Sequence, residues 1–396
     1  MTDNRPLDHH ISSRSKKLAM SAIKEMSILS ARVPGAASLA WGLPSFQTPE
    51  HVREAIKTAL NNDAGLGMYA LPAGLPELRD AVVEEHVRRT GTRVDPDQNV
   101  TITAGNMEGL NSLLHVLVGP GDEVIVTDPG FVSHISQIEF CGGQPVFWPM
   151  QEDEGWRLDV GALEALIGPR TKALVLVSPS NPTGRIFDEE TLRAAADIAV
   201  RRSVLIVVDD PYSHFTYDSK DTFFNLASAP EYQDHLVYLF TFSKAYAMSG
   251  WRVGYMIAPE VIQHEVVKVH DLTMICSPRV SQVAALAALE GKQEHLGEFE
   301  SILNRRRNLI CDRLDGLPHV FEYARPEGAY YVFPRICSDQ NNDVRFAHDL
   351  LEKAKVTVTP GSAFGPSGSG HVRMAYCVSE DVINIAFDRL EAHFPI

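Results

Sequence analysis

The chain is poor in cysteine and has no long apolar run. Only five of its 396 residues are cysteines, and no two of them form a C-x-x-C pair. Reduced thiols of a cytosolic protein are therefore the simplest interpretation, and a disulfide framework is not expected. No stretch approaches the ~18 consecutive apolar residues of a membrane helix. The first residues, which include Asp3 and Asp8, lack the apolar core of a signal peptide. These absences predict a cytoplasmic protein without a membrane partner.

Positive charge is also scarce. Lysine and arginine number 36 against 51 aspartates and glutamates, which gives a net charge of −15. Most of the surface should repel nucleic acid phosphates, so no nucleic acid partner is expected. The segment HEVVKVH has Lys268 where a zinc-binding H-E-x-x-H motif needs its second histidine. We therefore predict no metal site.

The remaining composition is that of a globular protein with a large core. Apolar residues make up 44% of the chain and charged residues 22%. Short β-branched runs alternate with helical patterns such as 107–117 and 189–201, the second preceded by Asp188 as a predicted N-cap. The predicted strands are residues 100–103, 123–128, 145–150, 173–178, 204–210, 236–242 and 253–258. The alternation predicts an α/β fold with a mostly parallel sheet covered by helices.

The C-terminal third has a different pattern of predicted helices and strands. One long helix is predicted over residues 294–314, followed by two strands around Pro326, Glu327 and Gly328 and by shorter elements to the end of the chain. This pattern is typical of a smaller α+β domain, which the N-terminal segment is expected to join. We therefore divide the chain into residues 1–50, the N-terminal arm and part of the small domain; 51–290, the large cofactor domain; and 291–396, the small C-terminal domain.

Polar residues of unusual type follow the predicted strands. Asn181 comes after the strand 173–178, Asp209 and Tyr212 stand at the end of 204–210, and Lys244 follows 236–242. In open parallel sheets, ligands bind outside the carboxyl ends of the strands. These side chains should therefore meet around one ligand.

The residue types match the chemistry of pyridoxal phosphate. The Lys244 amine can form a Schiff base with the cofactor's aldehyde and carry protons at the substrate Cα. A carboxylate such as Asp209 keeps the pyridine nitrogen protonated, so that the ring takes up the electrons of a carbanion. Asn181 and Tyr212 suit the phenolic oxygen of the ring, and Phe131 can stack on its face. The sequence thus predicts pyridoxal 5'-phosphate as the cofactor.

A second group of residues suits the cofactor's phosphate. The loop of Gly105, Asn106 and Met107 joins a predicted strand to a helix, where free backbone N–H groups and the helix dipole attract an anion. Arg252 offers a bidentate guanidinium, and Thr241 offers a hydroxyl. We predict that these residues bind the phosphate together.

The motifs resemble those of the class I and II aminotransferases, which are fold type I pyridoxal phosphate enzymes similar to aspartate aminotransferase. The similarity runs from about Ile23 to Leu390 and includes TFSKAYAMSGWRVG around Lys244, SNPTG, DDPY, GLPSFQTP, YALPAG and VRMAY. So many motifs in the family's order are specific for the fold and less specific for the reaction. The resemblance implies an aminotransferase that moves an amino group from an L-amino acid to a 2-oxo acid.

The resemblance also implies the roles of substrate-binding residues. Arg373 would bind the α-carboxylate of the substrate, assisted by Asn181 and the backbone near Gly42. Trp41 would line the side-chain pocket. Tyr69 would reach the phosphate bound by the neighbouring subunit, which implies a homodimer with shared active sites.

The reaction, the side-chain contribution of the phosphate loop and the substrate stay open. Other pyridoxal phosphate enzymes of this fold are lyases, cyclases or oxidases, and some relatives are non-catalytic sensors fused to a DNA-binding domain. The phosphate loop reads G-N-M-E, without the hydroxyl or lysine of many relatives. No residue clearly matches the second arginine that some relatives use for a dicarboxylate side chain. Arg279 is nearby in the sequence but is out of register with that arginine.

Overall fold

The computed structural model describes residues 7–219, 223–337 and 342–395. The strands are β1 (Ala37–Ser38), β2 (Val100–Thr103), β3 (Glu123–Asp128), β4 (Gln144–Gln151), β5 (Arg157–Leu158), β6 (Thr171–Leu176), β7 (Leu205–Asp210), β8 (Leu236–Thr241), β9 (Gly254–Ile257), β10 (Phe321–Glu322), β11 (Tyr331–Val332), β12 (Arg335–Ile336), β13 (Val356–Thr357), β14 (Thr359–Pro360) and β15 (Val372–Ala375). All seven strands predicted from the sequence are confirmed, each within two residues at either end.

Helices fill most of the remaining chain. The α-helices are α1 (Ser13–Lys17), α2 (Ala22–Ala31), α3 (Glu50–Asn62), α4 (Pro76–Thr90), α5 (Asn106–Leu117), α6 (Val132–Phe140), α7 (Val160–Leu166), α8 (Glu189–Arg201), α9 (Phe242–Ala245), α10 (Glu260–Met274), α11 (Arg279–Glu290), α12 (Glu294–Asp315), α13 (Asp343–Asp349) and α14 (Glu380–His393). A π-helical turn follows α13 at Leu350–Ala354. The predicted N-cap is confirmed, since Asp188 Oδ1 accepts the Thr191 N–H at 2.8 Å. Within the described ranges, none of these helices has the length and apolar character needed to cross a membrane.

One eight-stranded sheet organises the larger part of the molecule. Its order is β2-β9-β8-β7-β6-β3-β4-β5. The pairs from β8 through β7, β6 and β3 to β4 are parallel, whereas β9 runs antiparallel to β8 and β2, and β5 runs antiparallel to β4. The predicted fold class, a mostly parallel sheet covered by helices, is confirmed. The carboxyl ends of β2, β3, β6, β7 and β8 consequently share one edge of the sheet.

Alternate residues of the central strands pack on opposite faces of the sheet. In β7, Ile206 and Val208 belong to one hydrophobic core, and Val207 belongs to the core on the other face. In β8, Tyr238 lies in the first core and Leu239 in the second. Because helices cover both faces, these strands read as continuously apolar in the sequence.

The two ends of the chain share a third core. Met26 and Leu39 from the N-terminal segment pack with residues such as Ile310, Met374 and Phe387. β1 pairs in parallel with β13, which joins the N-terminal segment to the C-terminal third through backbone hydrogen bonds. This agrees with the expected smaller α+β unit, and the domain limits at residues 50 and 290 remain a prediction.

The two strands predicted around Pro326 and Gly328 differ from the observed structure. Three two-residue strands are present, and they fall in separate pairings, β10 with β12 and β11 with β15. The chain does not form a simple hairpin because Gly328 packs against the loop after β6. Its N–H donates to Gly184 O at 2.9 Å, and a Cβ at this position would lie 2.5 Å from the Pro179 ring.

Candidate active site

Lys244 is positioned by the end of β8 and the short helix α9. The Thr241 side chain caps this helix, with its Oγ1 accepting the Ser243 N–H at 3.2 Å and donating to Ser243 Oγ at 2.9 Å. The Lys244 ammonium donates to Gly42 O at 2.9 Å. Burial, assisted by the charges of Arg373 and Arg252 and opposed by Cys377, lowers the pKa of Lys244 to about 8. A lysine with a lowered pKa has more of the neutral, nucleophilic amine near neutral pH.

Asp209 is held at the end of β7 by two polar side chains. Asn106 Nδ2 donates to its Oδ1 at 2.5 Å, and His134 Nε2 lies 2.8 Å from its Oδ2. Asn106 begins α5 and His134 belongs to α6, so three segments distant in sequence converge on one carboxylate. His134 is buried, and its ring lies edge-on to the Phe131 ring at a centroid distance of 5.2 Å. Sequence reasoning identified Asp209, Asn106 and Phe131 and missed His134.

Asn181, Tyr212 and Arg373 form a buried polar cluster with a second tyrosine. Arg373 Nη1 donates to Asn181 Oδ1 at 3.1 Å, and its Nη2 donates to Ala40 O at 2.6 Å. Asn181 Nδ2 lies 3.5 Å from the Tyr212 hydroxyl, which lies 3.0 Å from the Tyr331 hydroxyl. Burial raises the pKa of Tyr212 well above its ordinary value. Both phenols are therefore neutral hydrogen-bonding groups in this state of the protein. Tyr331 is a further residue that sequence reasoning missed.

Arg252 and the start of α5 form a positively charged corner. Arg252 Nη2 donates to Ala104 O and Nη1 to Ser249 O, both at 2.9 Å. Gly105 precedes α5 with φ of 84°, and a Cβ there would lie 2.7 Å from Arg252 Nη2. Glycine is therefore required both by the backbone conformation and by the close approach of the guanidinium. An exposed guanidinium beside a helix N-terminus favours an anion.

Three other residues that were predicted to belong to the site have exposed side chains. Met107 is 42% exposed, and its carbonyl accepts from Gln137 Nε2 at 2.9 Å, so the structure gives its side chain no evident binding role. Trp41 is 44% exposed and precedes Gly42. Tyr69 is 74% exposed and lies in a different groove, lined also by Leu71 and Arg279. Among the described residues, Tyr69 makes no hydrogen bond to the rest of the site.

The donor set fits a phosphorylated pyridine aldehyde. A nucleophilic amine, a buried carboxylate and a cationic corner lie at one sheet edge, at Lys244, Asp209 and Arg252. Two buried polar atoms beside them, Asn106 Oδ1 and Arg373 Nε, have no hydrogen-bond partner in the described structure. Polar atoms left unpaired in this way are costly unless a ligand satisfies them.

The chain is similar over nearly its whole length to known transferases of amino groups. A sequence model of the family described as "Aminotransferase class I and II" matches residues 36–390. The aromatic-amino-acid aminotransferase 2 of Thermococcus litoralis is 35% identical over 385 residues, which are 96% of this chain and 97% of the relative. The aspartate aminotransferase of Pyrococcus horikoshii is also 35% identical, with 97% of both chains covered.

A solved structure agrees with these relatives. The aspartate aminotransferase from Thermus thermophilus with maleate has a TM-score of 0.90 and 34% identity, and the match covers 97% of this chain and 99% of that one. The chain therefore belongs to the class I and II aminotransferase family. It is an enzyme, an aminotransferase.

Proposed function

We propose that the protein is a pyridoxal phosphate-dependent aminotransferase that moves an amino group from an L-amino acid to a 2-oxo acid. The observation that carries the proposal is the meeting of Lys244, Asp209 and Arg373 around the carboxyl edge of one sheet. Lys244 would hold the cofactor's aldehyde, Asp209 its ring nitrogen, and Asn181 and Tyr212 its phenolic oxygen. Arg252, Thr241 and the N-terminus of α5 would hold the phosphate, and Phe131 would cover the ring.

Asp209 and Arg373 would position the cofactor and the substrate, and Lys244 would transfer the proton. When bound, the cofactor supplies a protonated ring that accepts the electron pair of the broken substrate bond. Asn106 and His134 fix the position of the Asp209 carboxylate. Its negative charge would favour the protonated form of the ring nitrogen. Arg373 binds the substrate α-carboxylate and thereby fixes the direction of the Cα–H bond. The Lys244 amine would take up the substrate Cα proton and hold it at its Nζ for return to the product.

An amino-transfer assay tests this function directly. Purified protein with added pyridoxal phosphate is incubated with single L-amino acids and 2-oxoglutarate, and glutamate is measured. We expect glutamate to form with at least one donor. The 2-oxo acid derived from that donor should appear in an equal amount. Release of ammonia or carbon dioxide from the donor without glutamate would instead show a lyase or oxidase and would contradict the proposal.

We also propose that the protein is a cytoplasmic homodimer. The groove that contains Tyr69 has a volume of about 580 Å³ and is lined by Leu71, Leu75, Val283 and Leu286. Met68, Tyr69 and Leu71 are 68%, 74% and 59% exposed. Glu77 and Arg279 also line the groove, so it combines exposed apolar side chains with charged ones. A surface of this kind fits a second copy of the chain, and closed two-fold dimers are the commonest assemblies. In such a dimer, the Tyr69 hydroxyl would reach the phosphate held by the partner.

Mixed dimers of two inactive variants test whether the active site is shared. One parent carries Lys244→Ala and the other carries Tyr69→Glu, whose negative charge would repel the phosphate. If Tyr69 serves the partner, the heterodimer has one site with both lesions and one with neither. We expect the mixture to regain up to about half of the wild-type activity per heterodimer.

The outcome depends on showing that mixed dimers form. Differently tagged parents allow the heterodimer to be purified, and a tagged wild-type mixture serves as the matched control. Heterodimers that form, fold and stay inactive would place Tyr69 in its own subunit's site or in none.

A further inference from the structure

One acidic residue beside the phosphate loop has no role in the function proposed above. Glu108 is the third residue of α5, which begins at Asn106 after the N-cap Gly105. The N-terminus of a helix attracts an anion, but a carboxylate in the first turn is itself an anion and would repel a phosphate bound there. Charge alone therefore predicts that Glu108 opposes phosphate binding.

The Glu108 carboxylate accepts three hydrogen bonds. Its Oε2 accepts the Ala104 N–H at 3.0 Å, and its Oε1 accepts the Ser112 hydroxyl at 2.7 Å and lies 2.9 Å from His270 Nδ1. Burial raises the pKa of Glu108, but the hydrogen bond and charge of His270, followed by the bonds from Ser112 and Ala104, lower this pKa below its ordinary value overall. An ionised carboxylate is only an acceptor, so His270 Nδ1 carries the hydrogen of this contact.

The His270 side chain is committed to this one contact. It is fully buried on α10, and its second ring nitrogen, Nε2, has no hydrogen-bond partner in the described structure. Val266 of α10 and Leu110 of α5 belong to the same hydrophobic core, so the two helices are packed together beside the carboxylate. A buried imidazole with a single polar partner is stabilised mainly by that partner. His270 therefore holds the Glu108 carboxylate in one position.

Ala104 connects the carboxylate to the cationic corner at Arg252. The Ala104 N–H donates to Glu108, and the Ala104 carbonyl accepts from Arg252 Nη2 at 2.9 Å. The backbone on both sides of the Ala104 Cα is thus fixed by a charged side chain. Within residues 7–219, 223–337 and 342–395, the Asn106 and Met107 N–H groups donate to no acceptor, so they are free donors for an anion.

The side chains of the loop itself offer a phosphate no donor. The Asn106 amide donates to Asp209, and the Met107 side chain carries no N–H or O–H group. Phosphate binding at this loop therefore depends on backbone N–H groups and on Arg252, whose positions are tied to Ala104. The G-N-M-E sequence makes this dependence strong, because it lacks the hydroxyl or lysine of many relatives.

We propose that Glu108, held by His270, is a positioning residue for the cofactor phosphate. By fixing Ala104, the carboxylate orients the Arg252 guanidinium and keeps the first N–H groups of α5 available to the phosphate. The gain from this geometry exceeds the repulsion between the carboxylate and the phosphate. The inference rests on the proposed function, because it takes the phosphate to be bound at this corner.

Replacing Glu108 with methionine tests the sign of its effect, because methionine keeps the length and helix propensity of the side chain and removes the carboxylate. We expect Glu108→Met to weaken binding of pyridoxal phosphate to the apoenzyme by about tenfold to a hundredfold, as for a lost hydrogen bond to a charged group. Loss of a repulsive charge alone would instead tighten binding. The affinity for pyridoxal, which has no phosphate, should stay within about threefold of the wild-type value.

Three further variants serve as controls. Glu265→Met removes an exposed carboxylate of α10 that is paired with Lys268 at 2.6 Å, and it should change neither affinity. His270→Leu removes the donor to Glu108, whereas His270→Asn retains an N–H near the position of Nδ1. We expect about a tenfold loss of affinity for pyridoxal phosphate in His270→Leu and at most about a threefold loss in His270→Asn. This pair tests the proposal even if Glu108→Met does not fold.

Tighter or unchanged binding of pyridoxal phosphate by Glu108→Met would overturn the proposal. Equal losses for pyridoxal phosphate and pyridoxal, or equal losses in the two His270 variants, would also contradict it. Amino transfer is measured separately at saturating cofactor, where kcat of Glu108→Met should lie within about threefold of wild type, because Lys244, Asp209 and Arg373 are unchanged. A protein with the predicted affinities that transfers no amino group would leave this inference intact and refute the proposed function. An active aminotransferase whose Glu108→Met variant binds pyridoxal phosphate like wild type would refute this inference alone.

Discussion

Lys244→Ala should remove amino transfer almost completely while leaving a folded protein that still binds the cofactor. Proton transfer by a positioned side chain contributes about 10² to 10⁴ in rate, and Lys244 would also supply the covalent attachment. We therefore expect kcat to fall by about 10⁴-fold or more. Burial lowers the pKa of Lys244 to about 8, and the other lysines in the described part of the chain have exposed side chains and cannot replace it at the end of β8.

Two measurements separate loss of chemistry from loss of the site. Exchange of the donor's Cα hydrogen with deuterated solvent should stop in Lys244→Ala, and bound pyridoxal phosphate should remain detectable, because Asp209, Arg252 and the loop at Gly105 are unchanged. Lys353→Ala, at an exposed lysine of the C-terminal third, is the matched control and should keep full activity. A Lys244→Ala enzyme with more than about a tenth of wild-type activity would exclude this lysine from proton transfer.

Arg373→Ala should weaken substrate binding far more than cofactor binding. Arg373 is 1% exposed and is held by Asn181 and Ala40, so its guanidinium is desolvated and oriented before substrate arrives. Removing one partner of a buried charge pair costs roughly 2 to 5 kcal/mol, which corresponds to about 30- to 5000-fold in kcat/KM for the amino donor. Affinity for pyridoxal phosphate should change by less than about threefold, because Arg373 would contact the substrate.

The conservative variant Arg373→Lys distinguishes charge from geometry. Lysine keeps the positive charge and loses the planar fork that matches a carboxylate, so an intermediate loss is expected. Cofactor affinity and thermal unfolding of the same variants serve as controls for damage to the fold. An unchanged KM for the donor in Arg373→Ala would show that the α-carboxylate is bound by a different residue.

Much of this site could be predicted because parallel strands bring their carboxyl ends to one edge. Asp209 lies at the end of one continuously apolar strand, and Lys244 follows another. Their closeness in space could therefore be predicted from the order of the strands. The position of Arg252 near the site could not be predicted from the order of the strands alone. The antiparallel pairing of β8 with β9 places Thr241 beside Gly254, two residues after Arg252, and the sequence signal for this was the family's lysine motif.

The contacts that sequence reasoning missed join residues far apart in the chain. His134 lies 75 residues before Asp209, and its role depends on α6 turning one side chain towards β7. Tyr331 lies 119 residues after Tyr212, and its approach depends on the way the chain after Gly328 packs against the loop after β6.

The central claim is that Lys244 binds the cofactor covalently, and reduction with borohydride tests it most directly. Holoenzyme is treated with sodium borohydride and digested, and the peptides are analysed by mass spectrometry together with an untreated control. We predict loss of the visible absorption band and a pyridoxyl phosphate mass on the peptide that contains Lys244. A cofactor mass on another lysine, or on no peptide at all despite bound cofactor, would contradict the account.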